Sequence, residues 1–200
     1  MGNRFILTLI RHLPTPGNEA GQYIGWTDES ILPGFHQEMR LPWHAEIVYG
    51  SDLKRCIESA GIYFPHARYQ SDARLRESHF GDWEGKTYDM LKENDTYRRW
   101  IDHPDTEKPP RGESLKEVKT RVIEGLTHLL QHPGQHFVVT HGGPIRILLT
   151  QYSPEERDFW SWHIPHRSAW QLAWESVQAF KEGKRCVSLS EVPITEKKHT

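Results

Sequence analysis

The sequence predicts an α/β protein, a three-layer α/β/α sandwich around a mostly parallel central sheet. Three observations lead there. Short apolar runs of strand length alternate with helix-period segments along most of the chain, as in successive βα units. The 200 residues suit one domain, taken as 1–200, large enough to bury a core without disulfide or metal staples. No repeat or low-complexity tract interrupts the alternation.

Taken in order, Arg4 to Ile10 reads as a strand apolar on both faces, ending in Arg11-His12. Leu13 to Phe35, rich in Gly, Pro and Thr, is expected to be a long ordered loop with little helix. Glu46 to Tyr49 is a short strand, and Ser51-Asp52 is an N-cap pair for a helix from Leu53 to Tyr63. Leu53, Cys56, Ile57 and Ala60 share one face of it. Ala67 to Tyr69 reads as a strand, and Arg74 to Gly85 has no clean period. Tyr88 to Ile101 reads as one or two helices, and His103 to Gly112, with three prolines, as a surface loop. Ser114 caps a strong helix reaching Leu130: Glu117 completes a capping box, and Val118, Val122, Leu126 and Leu129 form its apolar stripe. Gln135 to Thr140 is a strand that runs into His141-Gly142-Gly143-Pro144, and Ile145 to Thr150 opens the next helix with Pro144 in its first turn. Ala169 to Trp174 and Arg185 to Val192 are the last strands, the second on an edge, and 191–200 is a polar tail.

Composition removes several classes of function. A net charge of −2 and a pI near 6.7 point neither to nucleic acid nor to an anionic membrane, so any anion site must be a local cluster. Cys56 and Cys186 lie far apart and form no CxxC pair, which fits a reducing compartment and argues against a cysteine zinc site. The thirteen histidines show no HExxH or similar ligand spacing, so no metal site and no cofactor is expected. The apolar run from Phe5 to Ile10 is too short for a signal-peptide core or a membrane span, and a cytoplasmic protein is the expectation.

In an open α/β sheet, ligands bind beyond the carboxyl ends of the strands. Two predicted strands end there in histidine, as Arg11-His12 and as Thr140-His141. The turn at Gly142 aims a helix N-terminus at the same crevice, a ready anion site. Arg55, in the first turn of the helix after the second strand, can point into it as well. Glu77 supplies a carboxylate from a stretch whose glycines and aromatics suggest a shaped loop.

Five motifs now stand in order: Arg11-His12 with Thr15 and Asn18; Ser51 to Ala60; Leu75 to Gly85; Gly112 to Leu115; and Val139 to Gly143. Together they resemble the histidine phosphatase superfamily in its phosphoglycerate-mutase-like branch, with α-ribazole phosphatases and broad-range phosphatases as the similar types. Leu13 stands where that family usually has glycine, and a side chain there is expected to narrow the pocket or change the loop. Gly34 to Glu38 matches the family's Gly-x-x-Gln-Ala only loosely.

The resemblance implies a phosphomonoester hydrolase that works through a covalent phosphohistidine on His12, on a small phosphorylated metabolite and without metal. Arg11, Arg55 and a protonated His141 would supply positive charge, with arginine suited to binding two phosphate oxygens at once. His12 attacks as a neutral ring, so its other nitrogen needs an acceptor, expected to be a backbone carbonyl of the following loop. Glu77 is the candidate general acid, held protonated with help from the adjacent phosphate charge. Asp82 and Glu84 are lesser rivals for that role. Thr15, Asn18 and the Gly142 N–H are expected to donate to phosphate oxygens. Trp26 and Trp83 either line the leaving-group side or sit in the core. A phosphoglycerate-type mutase is the nearest alternative, disfavoured because no long insertion lies between Ala60 and Gly112 to close the site. A non-catalytic phosphate-binding protein on the same fold is the second alternative.

Overall fold

The computed structural model describes residues 3–35, 41 and 43–194. Residues 36–38 of the loosely matching segment and 195–200 of the predicted tail lie outside them. Six strands form one sheet: β1 (Phe5–Arg11), β2 (Ile47–Gly50), β3 (Arg68–Ser71), β4 (Gly134–Thr140), β5 (Ser168–Trp174) and β6 (Ser188–Pro193). Their spatial order is β3-β2-β4-β1-β5-β6. β3, β2, β4 and β1 run parallel, β5 pairs antiparallel with β1, and β6 antiparallel with β5. The sheet is thus mostly parallel, and the first three residues of the predicted tail, 191–193, belong to its edge strand.

Seven α-helices accompany the sheet among the described residues: α1 (Pro16–Glu19), α2 (Lys54–Tyr63), α3 (Tyr88–Leu91), α4 (Asp95–Asp102), α5 (Leu115–Leu129), α6 (Gly142–Tyr152) and α7 (Val177–Lys181). Alternation along β1 sorts its side chains to two cores. Phe5, Leu7 and Leu9 pack with Val118, Val122 and Leu126 of α5 and with Ile145, Leu148 and Leu149 of α6. Ile10 packs on the other face with Val48, Val139 and the Cys56, Ala60 and Tyr63 side of α2. Helices therefore cover both faces, which is why β1 and the second half of β4 can be buried on both sides. Each fully buried aliphatic residue of these layers contributes roughly 1.5–3 kcal/mol through removal from water.

The capping box on α5 is formed as the sequence predicts: Glu117 N–H donates to Ser114 Oγ, and Ser114 N–H to Glu117 Oε2. The start of α2 differs from expectation. Leu53 occupies the N-cap with no side-chain bond, and the free Lys54 N–H is capped from the distant loop by Asp28 Oδ1 at 2.8 Å. Asp52 instead takes a two-point ion pair from Arg76. The buried face of α2 is also turned from the predicted one: Arg55 and Ser59 are buried while Ile57 is exposed. Both polar residues are satisfied there: Arg55 by His141 and loop carbonyls, and Ser59 by Arg55 O and the Leu13 N–H.

Candidate active site

The register Arg11↔Thr140 brings the carboxyl ends of β1 and β4 level, so His12 and His141 emerge side by side. Their rings stand edge to face with centroids 5.0 Å apart. His12 is 3 % exposed and His141 wholly buried. The His12 Nδ1 lies 2.6 Å from the Leu13 carbonyl oxygen. A carbonyl only accepts, so Nδ1 carries the proton and the Nε2 lone pair is left open in the neutral ring. Burial first, then Arg55, Arg11 and His166, hold the His12 pKa well below its usual value, so the ring is neutral.

Burial, then Arg55, His12 and Arg11, push the His141 pKa down in the same way. Its Nδ1 accepts from Arg55 Nε at 3.2 Å, which leaves its Nε2–H 3.4 Å from Cys56 Sγ. The expected protonated His141 is therefore corrected: in this structure it is a neutral ring between buried cations. The role expected for Arg55 changes too. Its Nη1 donates to Thr27 O at 2.8 Å and its Nη2 to Gly25 O at 2.6 Å, so the fork grips the loop over α2 rather than facing the crevice open-handed.

Arg11 offers the free edge. Its Nη1 donates to Ile164 O, while its buried Nε has no partner among the described residues. Burial lowers its pKa to about 10, which leaves it charged at neutral pH. A Cβ on Gly142 would touch the Arg11 guanidinium carbon at 3.5 Å, so that cation packs directly on the first residue of α6. Of the first three residues of that helix, Gly143 spends its N–H on Glu77 and Pro144 has none, leaving the Gly142 N–H for an anion.

Glu77 is buried, with Oε1 accepting from Ser78 N–H at 2.8 Å and Oε2 from Gly143 N–H at 3.0 Å. The close approach requires glycine: a Cβ on Gly143 would fall 2.1 Å from Glu77 Oε1. Arg121 of α5 staples the segment that carries Glu77. Its guanidinium donates to the carbonyls of Arg74, Arg76 and Glu77, each at 2.8 Å, and pairs with Glu113. The rivals sit elsewhere. Asp82 pairs with exposed Arg111, and Glu84 accepts from Gly25, Trp26, Thr27 and Phe80 to anchor the loop.

Thr15 is corrected as a phosphate donor. Its hydroxyl donates to Glu29 and caps α1, because the loop folds back as a four-residue helix at that point. Asn18 Oδ1 closes the same capping box by accepting from Thr15 N–H, so only its amide N–H2 remains for a ligand. Leu13 does not narrow the crevice; its side chain is fully buried in the core with Ile10 and Val48. Trp83 belongs to an aromatic core with Tyr97 and Trp100, whereas Trp26 is 38 % exposed and donates its indole N–H to the Glu77 carbonyl at 3.0 Å. Sequence reasoning passed over Arg121, His166 and Arg146, whose Nε donates to Trp162 O at 2.9 Å and whose charge reaches Arg11. None falls at a position singled out by the chain's local patterns, although Arg146 lies on the helix that His141 caps.

Residues 7–182 match the model of the histidine phosphatase superfamily, branch 1. The chain belongs to that superfamily. Phosphoserine phosphatase 1 of Hydrogenobacter thermophilus is 28% identical to this chain over 155 residues, 71% of this chain and 73% of that one. A 2,3-bisphosphoglycerate-dependent phosphoglycerate mutase of Cytophaga hutchinsonii is 28% identical over 170 residues, 76% of this chain and 80% of that one. The crystal structure of the α-ribazole phosphatase of Shigella flexneri superposes with a TM-score of 0.72 over 84% of this chain and 90% of that chain, at 22% identity, and so shares the fold. The histidine phosphatase chain has no helix among its described residues long and apolar enough to cross a membrane.

Proposed function

We propose that this protein hydrolyses phosphate monoesters of small metabolites through a phosphohistidine on His12, without a metal ion. The observation that carries the reading is the His12 ring: neutral, with Nδ1–H tied to Leu13 O and Nε2 open beside a buried arginine edge. In the first step the Nε2 lone pair attacks phosphorus and the bond to the leaving oxygen breaks. Glu77 gives that oxygen its proton. In the second step water attacks phosphorus, Glu77 takes the water proton, and the N–P bond breaks to release phosphate. The Arg11 Nε edge and the Gly142 N–H stabilise charge on the non-bridging oxygens. Arg55 adds its charge from behind His141 while it holds the loop at Gly25 and Thr27.

The second reading is a mutase, favoured by the Cytophaga hutchinsonii relative. Hydrolysis is preferred because the 51 residues between Ala60 and Gly112 are spent on β3, the Glu77 segment, α3 and α4, with no further insertion to close over the intermediate. Two buried, free cysteines are consistent with a reducing, cytoplasmic setting. The test is phosphate release from p-nitrophenyl phosphate in EDTA, with the acid-labile phosphoenzyme trapped and mapped. Activity that needs added metal, or that survives His12→Ala, contradicts the proposal. Interconversion of phosphoglycerates that outpaces phosphate release favours the mutase.

A further inference from the structure

His166 lies outside every motif assigned to the chemistry, yet it packs against the proposed nucleophile from the side opposite β4. Its ring stands edge-on to that of His12, centroids 5.2 Å apart. It is placed there by β5, whose antiparallel register sets Ala169 opposite Ile10. Its Nδ1–H donates to the His12 carbonyl oxygen at 2.8 Å. The Leu13 N–H, on the opposite side of the same peptide unit, donates to Ser59 Oγ at 2.8 Å. Ser59 in turn donates to Arg55 O at 2.5 Å. The His12–Leu13 peptide is therefore gripped at both of its polar ends.

A peptide unit is planar, so two such bonds fix its orientation and with it the ψ of His12. Two torsions then separate this plane from the Leu13 carbonyl, the φ and ψ of Leu13. Pro14 comes next, and its ring disfavours the helical region for the residue before it. The Leu13 side chain, locked in the core beside Ile10 and Val48, restrains the same residue. The result is a carbonyl oxygen fixed 2.6 Å from His12 Nδ1.

We infer that His166 is a positioning residue which, with Ser59, holds the Leu13 carbonyl where it keeps His12 in the Nδ1–H tautomer, with Nε2 open to phosphorus. This rests on the phosphohistidine reading above. His166 is itself neutral, its pKa lowered to about 4 by burial and then by Arg11, so it grips the peptide without adding charge beside the nucleophile.

Two variants separate positioning from mere packing. His166→Leu keeps bulk but has no donor; His166→Asn keeps an amide N–H close to where Nδ1 stood. Each is measured three ways: by long-range proton–nitrogen correlation spectra of the His12 ring, by the rate of phosphoenzyme formation, and by vanadate affinity. His166→Leu is expected to lose the single Nδ1–H tautomer and to slow phosphoenzyme formation about 10- to 100-fold, with vanadate affinity little changed. His166→Asn is expected to recover both tautomer and most of the rate. Ser59→Ala, acting at the other end of the peptide, is expected to loosen the tautomer in the same sense, and it tests the clamp if His166→Leu fails to fold. The inference is overturned if the donor-less variants keep the wild-type tautomer and rate, or if His166→Asn is as slow as His166→Leu. If no variant and no wild-type protein forms a phosphoenzyme while the spectra still change as expected, the clamp stands and the catalytic reading fails.

Discussion

Replacing Gly143 with alanine sets one methyl group against the proposed general acid. The added Cβ falls 2.1 Å from Glu77 Oε1 and 3.1 Å from its carboxyl carbon, whereas ordinary contact begins near 3.4 Å. The carboxylate must therefore withdraw by about 1.3 Å, enough to break the 3.0 Å bond it accepts from the Gly143 N–H. The backbone gains from the exchange, because alanine is favoured over glycine in a helix by roughly 1 kcal/mol. Damage is thus confined to the acid. General acid catalysis contributes about 10²–10⁴ in rate, so Gly143→Ala is expected to lose about 100-fold in kcat/KM on an alkyl phosphate. An aryl phosphate leaves without a proton, and its loss is expected to stay below about 10-fold. Parallel kinetics on glycerol phosphate and p-nitrophenyl phosphate, with a thermal melt as control, measure the difference. Equal losses on the two substrates, or an unchanged alkyl rate, refute the role given to Glu77.

Arg121→Met removes the staple from three carbonyls and leaves Glu113 with the His79 N–H in place of its cation; it is expected to cost about 2–4 kcal/mol in urea unfolding and to lower kcat through Glu77. A variant with full kcat would mean that the Glu77 segment holds its shape alone. Leu13→Ala empties a fully buried position and is expected to destabilise the fold by about 2–5 kcal/mol, read in the same assay; a loss under about 1 kcal/mol would put the side chain outside the core. His12, His141 and His166 all have pKa values lowered chiefly by burial and then by neighbouring arginines. Each stays neutral in the folded protein and takes up a proton on unfolding once the pH drops below the ordinary 6.5. The unfolded chain then binds more protons, so stability falls as pH falls from 6.5 toward about 4, where His166 itself titrates. Three such groups steepen the fall toward roughly 4 kcal/mol per pH unit. Urea midpoints across that range measure the slope, and a level profile would show these rings to be charged in the native state.

Much was legible in the sequence because it is local. The apolar runs of β1 and β4, the capping box at Ser114 and Glu117, and the glycine turn after His141 are written in residues a few positions apart. Local periodicity and capping chemistry act over just that range. The α/β class and the meeting of two strand-end histidines follow from them. The carbonyl that holds His12 Nδ1 follows too, since it belongs to the next residue, but the site's other partners did not, because most lie far along the chain. His166 reaches His12 across 154 positions, Arg55 reaches His141 across 86, and Arg121 reaches Glu77 across 44. Only the folded chain could decide that Arg55 would be taken up by loop carbonyls, that Thr15 would turn to Glu29, and that Leu13 would enter the core. A buried polar group must take whichever donor or acceptor packing brings within reach, and packing is set by the whole chain at once.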